Sequence, residues 1–173
     1  MTKTSLIIPV WNAELTIEDC LLSAIKANLA PDEIIVVDDD STDTSVNIIN
    51  KLAKIYSIIK LIKLDKNVGP AAARDYGAKF SSGDIIFFTD SDTLVLENTF
   101  VNCLNTMTKY KVDAVSGIYH PEPINKGAAQ LYKALFFYYQ FARHKKPFEY
   151  ETFNGQIAAI TKEVYIKTGG YNK

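Results

Sequence analysis

A chain of 173 residues, 47% hydrophobic and 12% aromatic, is one domain by length and can bury a sizeable core. Its 19 basic and 20 acidic residues nearly cancel, so no global field recruits nucleic acid. No apolar run nears the ~20 residues that span a bilayer, no C-x-x-C occurs, and the start runs straight into a strand, which together predict a cytoplasmic protein with Cys20 and Cys103 as reduced, buried thiols.

Residues 5–10 (SLIIPV) read as a buried strand closed by Pro9, with Trp11 and Asn12 at its carboxyl end. Helical spacing follows over 14–29, with Pro31 just beyond. Residues 33–37 form a second strand that ends in Asp38-Asp39-Asp40-Ser41. A helix over 44–56 places Val46, Ile49, Leu52, Ala53 and Tyr56 on one face, and a third strand over 58–64 carries lysines that predict a sheet edge. Asn67-Val68-Gly69-Pro70 is a turn, and a short Ala-rich helix over 71–80 then carries Arg74.

After Ser82-Gly83 comes a short Ile- and Phe-rich run from Asp84, predicted as a strand buried on both faces, ending in Asp90-Ser91-Asp92. Next come a helix over 96–110, a strand over 113–119 closed by Pro121 and Pro123, and an unusually aromatic helix over 126–143. A strand over 153–161 and a helix over 162–168, stopped by Gly169-Gly170, complete the chain. Alternating strands and helices predict a single α/β domain with a mainly parallel central sheet and helices on both faces.

In such a sheet ligands bind in the crevice outside the carboxyl ends of the strands. Three of these ends carry chemistry. Asp90 and Asp92 are close enough to repel unless a divalent cation is shared, although capping needs acids there too. Three consecutive acids after the second strand exceed what capping by Ser41 or Asp43 requires, and one could accept a hydrogen bond from a pyrimidine imide. Trp11 reads either as core filling or as an aromatic wall for a nucleobase. Arg74, near a helix start, either pairs with a surface acid or contacts a diphosphate. A G-x-G-x-x-G is missing after the first two strands, which argues against a Rossmann dinucleotide site.

Taken in order, S-L-I-I-P-V-W-N, E-I-I-V-V-D-D-D-S-T-D, N-x-G-x-x-x-A-R-D-x-G and G-D-I-I-F-F-T-D-S-D closely resemble the family 2 glycosyltransferases, which have the GT-A fold. The tail from Gly155 to Tyr171 resembles the family's acceptor-side segment. The resemblance implies an inverting transfer of sugar from a nucleotide-diphosphate donor, UDP-sugar first, to a hydroxyl on a glycan or lipid-linked acceptor in cell-surface glycan synthesis. Pro9 and Trp11 would line the base pocket, Asp39 would bond uracil, and Arg74 would approach the base or diphosphate. Asp90, with Ser91 beside it, would contact the ribose, and Asp92 would bind Mg²⁺ or Mn²⁺.

The resemblance also implies a donor half over 1–110 and a partial acceptor half over 111–173. Position 75 is Asp where the family usually has Asn, and position 40 is Asp where it usually has Gly or Asn. The family's general base lies after the Gly-Gly-Tyr segment and is expected beyond Lys173, so the chain reads as truncated and no catalytic residue is visible in it. The alternatives are a non-catalytic nucleotide-sugar binding fragment and a nucleotidyltransferase; the latter would carry a Gly-rich signature with Arg, unlike Pro9-Val10-Trp11-Asn12. The 126–146 segment, aromatic and then basic at Arg143, Lys145 and Lys146, reads either as a core helix or as a peripheral contact with the inner face of a membrane.

Overall fold

The structure is a computed structural model that describes residues 2–123, 127–142 and 157–171. Twelve elements follow in chain order: β1 (Thr4–Val10), α1 (Ile17–Lys26), β2 (Glu33–Asp38), α2 (Ser45–Ile55), β3 (Ile59–Lys63), α3 (Pro70–Phe80), β4 (Ile85–Thr89), α4 (Thr99–Tyr110), β5 (Ala114–Ser116), α5 (Ala128–Ala142), β6 (Ile157–Thr161) and α6 (Lys162–Thr168). The strands form one sheet in the order β3-β2-β1-β4-β6-β5. β3, β2, β1 and β4 run parallel, and β6 is antiparallel to both β4 and β5.

The alternation of side chains along each strand explains the layers. Leu6, Ile8, Ile34, Val36 and Phe87 face one way and pack with Ile17, Leu21 and Ala24 of α1, Ile49 and Leu52 of α2, and Phe100 of α4. Phe87 meets Phe100 edge to face at 4.9 Å. Ile7, Ile35, Val37, Ile86 and Phe88 face the other way, against Ala73 and Ala78 of α3 and Tyr165 of α6. Continuous apolar runs in β1, β2 and β4 thus reflect burial on both faces.

The predicted architecture holds. Lysine-bearing β3 is an edge strand, and Cys20 and Cys103 are buried free thiols. Boundaries move: β5 is shorter than the predicted 113–119, and α4 starts at Thr99 rather than 96. Among the described residues, no helix is long and apolar enough to cross a membrane. The aromatic helix departs from a core helix: Leu131, Tyr132, Leu135, Phe136, Tyr138 and Tyr139 of α5 are exposed, whereas Ala134 is buried. Residues 143–146 and 153–156 lie outside the described residues.

The amino-terminal edge of the sheet is held by one acid. Glu33, buried at the start of β2, accepts from Lys60 Nζ at 2.5 Å and from Ser5 Oγ at 2.6 Å. It also accepts from the Ser82 amide at 2.6 Å and the Ser82 hydroxyl at 2.7 Å. Burial works to raise its carboxyl, but the Lys60 ammonium and the Ser5 and Ser82 donors outweigh it and hold the group down at about 2. Because the folded value lies below the ordinary 4.5, this stabilisation is present above about 4.5 and is lost as pH falls toward 2. Glu33→Gln should therefore cost about 2–3 kcal/mol in urea unfolding at pH 7, with the gap to the parent protein closing as pH falls below about 4.5.

Candidate functional site

The strand order places the site. From β1 the chain steps outward through α1, β2, α2 and β3, then α3 returns it across the opposite face to β4 on the other side of β1. The order therefore reverses between β1 and β4, and the crevice outside their carboxyl ends is where an open α/β sheet binds ligands. Trp11 follows β1, Asp39 follows β2, and Asp90, Ser91 and Asp92 follow β4.

Asp39 ties these ends together. It is 3% exposed, its amide donates to the Val10 carbonyl at 2.7 Å, and its carboxylate accepts from the Val68 amide at 2.7 Å and the Gly69 amide at 2.9 Å. Asn67 Nδ2 donates to its carbonyl at 3.2 Å. The turn that opens α3, with Gly69 at φ 86, is thus built on this one residue, and Pro70 takes the first helical turn, where its missing amide proton costs nothing.

The neighbouring loops are laced as well. The Asn12 amide donates to Ser41 Oγ at 3.0 Å and the Thr42 amide to Asn12 Oδ1 at 2.8 Å. Asp43 accepts from the Ser45 amide at 2.9 Å at the start of α2, while Ser41 serves the Asn12 loop instead of capping. Asp38, fully buried, has no hydrogen-bond partner for either carboxylate oxygen among the described residues. Such a group is costly to keep and is retained chiefly at functional sites.

Trp11 is 59% exposed, which removes the core-filling reading and leaves an indole standing at the crevice. Pro9 is buried within β1, one strand position before Val10. Arg74 projects from the first turns of α3, forms an ion pair with Asp90, and lies 5.4 Å from the Tyr171 ring centroid. Its Nε is buried without a hydrogen-bond partner among the described residues, so a donor remains for a ligand. Burial pushes the Asp90 carboxyl above its ordinary range; Arg74 opposes this and the charge on Asp92 adds to it. Asp92 itself is exposed, and Ser91 is half-buried between the two acids.

Sequence reasoning missed three residues here. Tyr119, beyond β5, lies near enough to Asp90 and Asp92 that burial first and their charges second push its phenol up to about 12. Lys133 of α5 covers the Tyr119 ring at 5.5 Å, and Tyr171 underlies Arg74. No local pattern marks them, because each arrives from a distant part of the chain. A cleft of about 420 Å³ starts at Asp92 and is lined by Tyr119, His120, Lys133 and Ile118. A larger one, about 1000 Å³, lies over α3 and α6, away from Asp90 and Asp92.

No group of three or more His, Cys, Asp or Glu among the described residues could enclose a metal. The residues fit a hard cation all the same. Mg²⁺ and Mn²⁺ accept one or two carboxylates plus substrate phosphates and water, and Asp92 offers an exposed carboxylate in that role.

Comparison with known proteins identifies the family and the fold. The model of the family described as Glycosyl transferase family 2 matches residues 5–169. An uncharacterized glycosyltransferase of Haemophilus influenzae is 36% identical over 119 residues, 69% of this chain and 48% of the relative. The UDP-Glc:alpha-D-GlcNAc-diphosphoundecaprenol beta-1,3-glucosyltransferase WfgD of Escherichia coli is 34% identical over 115 residues, 66% of this chain and 45% of the relative. Mannosyltransferase PcManGT from Pyrobaculum calidifontis, in complex with GDP-Man and Mn²⁺, superposes with a TM-score of 0.76 at 24% identity over 98% of this chain and 47% of its own. The chain thus spans about half the length of these proteins. It belongs to glycosyl transferase family 2 and has the GT-A architecture.

Asp39→Ala leaves the Val68 and Gly69 amides unpaired. The expected result is a loss of about 2 kcal/mol or more in urea unfolding, with Asp39→Asn intermediate because its carbonyl serves one amide.

Proposed function

We propose that this family 2 chain carries the donor site of an inverting glycosyltransferase that uses a nucleotide-diphosphate sugar, UDP-sugar first, for transfer to a hydroxyl on a glycan or lipid-linked acceptor. The observation that carries the proposal is the convergence of an exposed indole, a half-buried arginine whose buried Nε has no hydrogen-bond partner among the described residues, and two carboxylates at the β1/β4 switch point. Trp11 offers a stacking face worth ~1–3 kcal/mol to a nucleobase. Asp39 shapes the floor, and its remaining lone pairs suit an imide N–H. In this reading Arg74 Nε would donate to an anionic or carbonyl oxygen, Asp90 and Ser91 would contact ribose hydroxyls, and Asp92 would bind the cation. When bound, Mg²⁺ or Mn²⁺ neutralises charge on the departing nucleoside diphosphate.

Inversion requires an acceptor hydroxyl to attack from the far face with a base to take its proton. None of the described carboxylates is assigned that task. UDP is preferred to GDP because the WfgD relative uses UDP-Glc and is 34% identical, against 24% for the GDP-Man complex.

Calorimetric titration of UDP into the 173-residue chain should show binding only with Mn²⁺. Asp92→Asn should abolish that metal dependence without lowering the melting temperature, since Asp92 is exposed. Metal-dependent UDP affinity left unchanged in Asp92→Asn would refute the assignment of Asp92. Metal-dependent binding without sugar transfer would identify a binding fragment.

The exposed face of α5 supports a second element of the proposal, a peripheral contact with an anionic membrane. At 100° per residue, Leu131, Tyr132, Leu135, Phe136, Tyr138 and Tyr139 share one side of the helix, and all are exposed. Co-sedimentation with vesicles containing anionic lipid should be lost when Tyr132, Phe136 and Tyr139 are replaced by Ser. Unchanged sedimentation would exclude this contact.

A further inference from the structure

Asp75, beside Arg74 on α3, binds the tail of the chain. Its Oδ1 accepts from the Tyr171 amide at 2.9 Å and from the Tyr165 hydroxyl. Both tyrosine rings pack on Phe88 of β4 at 5.3 Å, Tyr171 edge-on and Tyr165 tilted. Gly170, at φ +74, passes so close that a Cβ there would come within 2.5 Å of Asp75 Oδ1. The segment is therefore seated against Asp75 by its backbone, by a hydroxyl and by the absence of a side chain at position 170. The Tyr171 ring so fixed is the one that faces the Arg74 guanidinium, whose Nη2 meets Asp90.

We propose that Asp75 is a positioning residue: by clasping the Tyr165–Tyr171 segment it seats the Tyr171 ring against Arg74 and holds that guanidinium on Asp90. The inference rests on the reading of Arg74 and Asp90 as donor-site groups. It couples parts of the sequence 90 and 96 residues apart, so that the seating of the Tyr165–Tyr171 segment sets the readiness of the donor site. The clasp needs only an oxygen acceptor. An Asn at position 75 offers the same Oδ1, which makes the Asp here and the Asn usual in the family chemically equivalent in this role.

The test uses the full 173-residue chain. The Arg74 Nε–Hε resonance, identified by its loss in Arg74→Lys, should be shifted upfield by the Tyr171 ring. That shift should persist in Asp75→Asn and vanish in Asp75→Ala and in Tyr171→Leu. UDP affinity with Mn²⁺ should fall roughly tenfold in Asp75→Ala but stay within about twofold in Asp75→Asn, the scale expected for releasing a partly desolvated cation–π contact. Asp75→Ala that folds yet leaves the Arg74 resonance in place would overturn the clasp, as would Asp75→Asn behaving like Asp75→Ala. Should Asp75→Ala fail to fold, Gly170→Ala, whose Cβ would come within 2.5 Å of Asp75 Oδ1, decides: an Arg74 resonance left in place would overturn the clasp. Absence of UDP binding by the parent chain would overturn the donor-site reading instead, and the Arg74 resonance would still judge the clasp.

Discussion

The carboxylate of Asp39 is the constraint on which the functional edge depends. Buried at the end of β2, it spends its acceptors on the two amides that begin the turn into α3. A buried acid is tolerable only with such partners, and here the partners are backbone donors that no side chain supplies. The start of α3 is thereby tied to the end of β2, and its own amide ties both to β1 through Val10. Arg74 reaches Asp90 because the helix that carries it begins at that fixed point. The opposite edge uses the same device with a different acid, since Glu33 gathers donors from β1, β3 and the turn before β4. One edge is thus closed by Lys60 and two serines, while the other is left with indole, guanidinium and carboxylates facing the crevice.

Once Arg74 is placed, the two acids after β4 cease to be equivalent. Asp90 is partly buried, ion-paired and pushed upward by its surroundings, with Asp92 contributing to that push. Asp92 is exposed and carries its charge outward. Like charges so close are relieved on one side by an arginine of the chain and on the other by whatever cation the solvent or a ligand brings. That asymmetry, rather than the D-x-D pattern, is what supports proposing a polar contact for Asp90 and a metal-ligand role for Asp92.

Most of the frame was legible in the sequence because it rests on short-range patterns. Apolar runs marked β1, β2 and β4, glycines and prolines marked the breaks, and acids marked the carboxyl ends of β2 and β4. The lysines of β3 foretold an edge strand. What stayed hidden depends on long-range packing. The antiparallel insertion of β6 between β4 and β5 has no local signature, nor does the arrival of Tyr119, Lys133 and Tyr171 at the acids. The aromatic content of α5 leaves a core helix and a surface helix both open in the sequence, because it reports a tendency to be buried and not what the helix packs against. Trp11 was ambiguous for the same reason, and its 59% exposure resolves it.

Cavity size alone would have chosen differently. The cleft of about 1000 Å³ runs over α3 and α6 among Lys63, Lys79 and Lys162, and it contains neither Asp90 nor Asp92. The cleft of about 420 Å³ begins at Asp92 and continues past Tyr119 and Lys133, so it prolongs the acidic edge toward α5. A donor whose diphosphate lies at Asp92 would send its sugar along that smaller cleft. Tyr119, whose hydroxyl is hydrogen-bonded to Thr93, and Lys133, which lies over the Tyr119 ring, line that cleft. Under the proposed function, contact with the sugar would fall to residues such as Tyr119 and Lys133, which lie outside the motifs that carry the family resemblance.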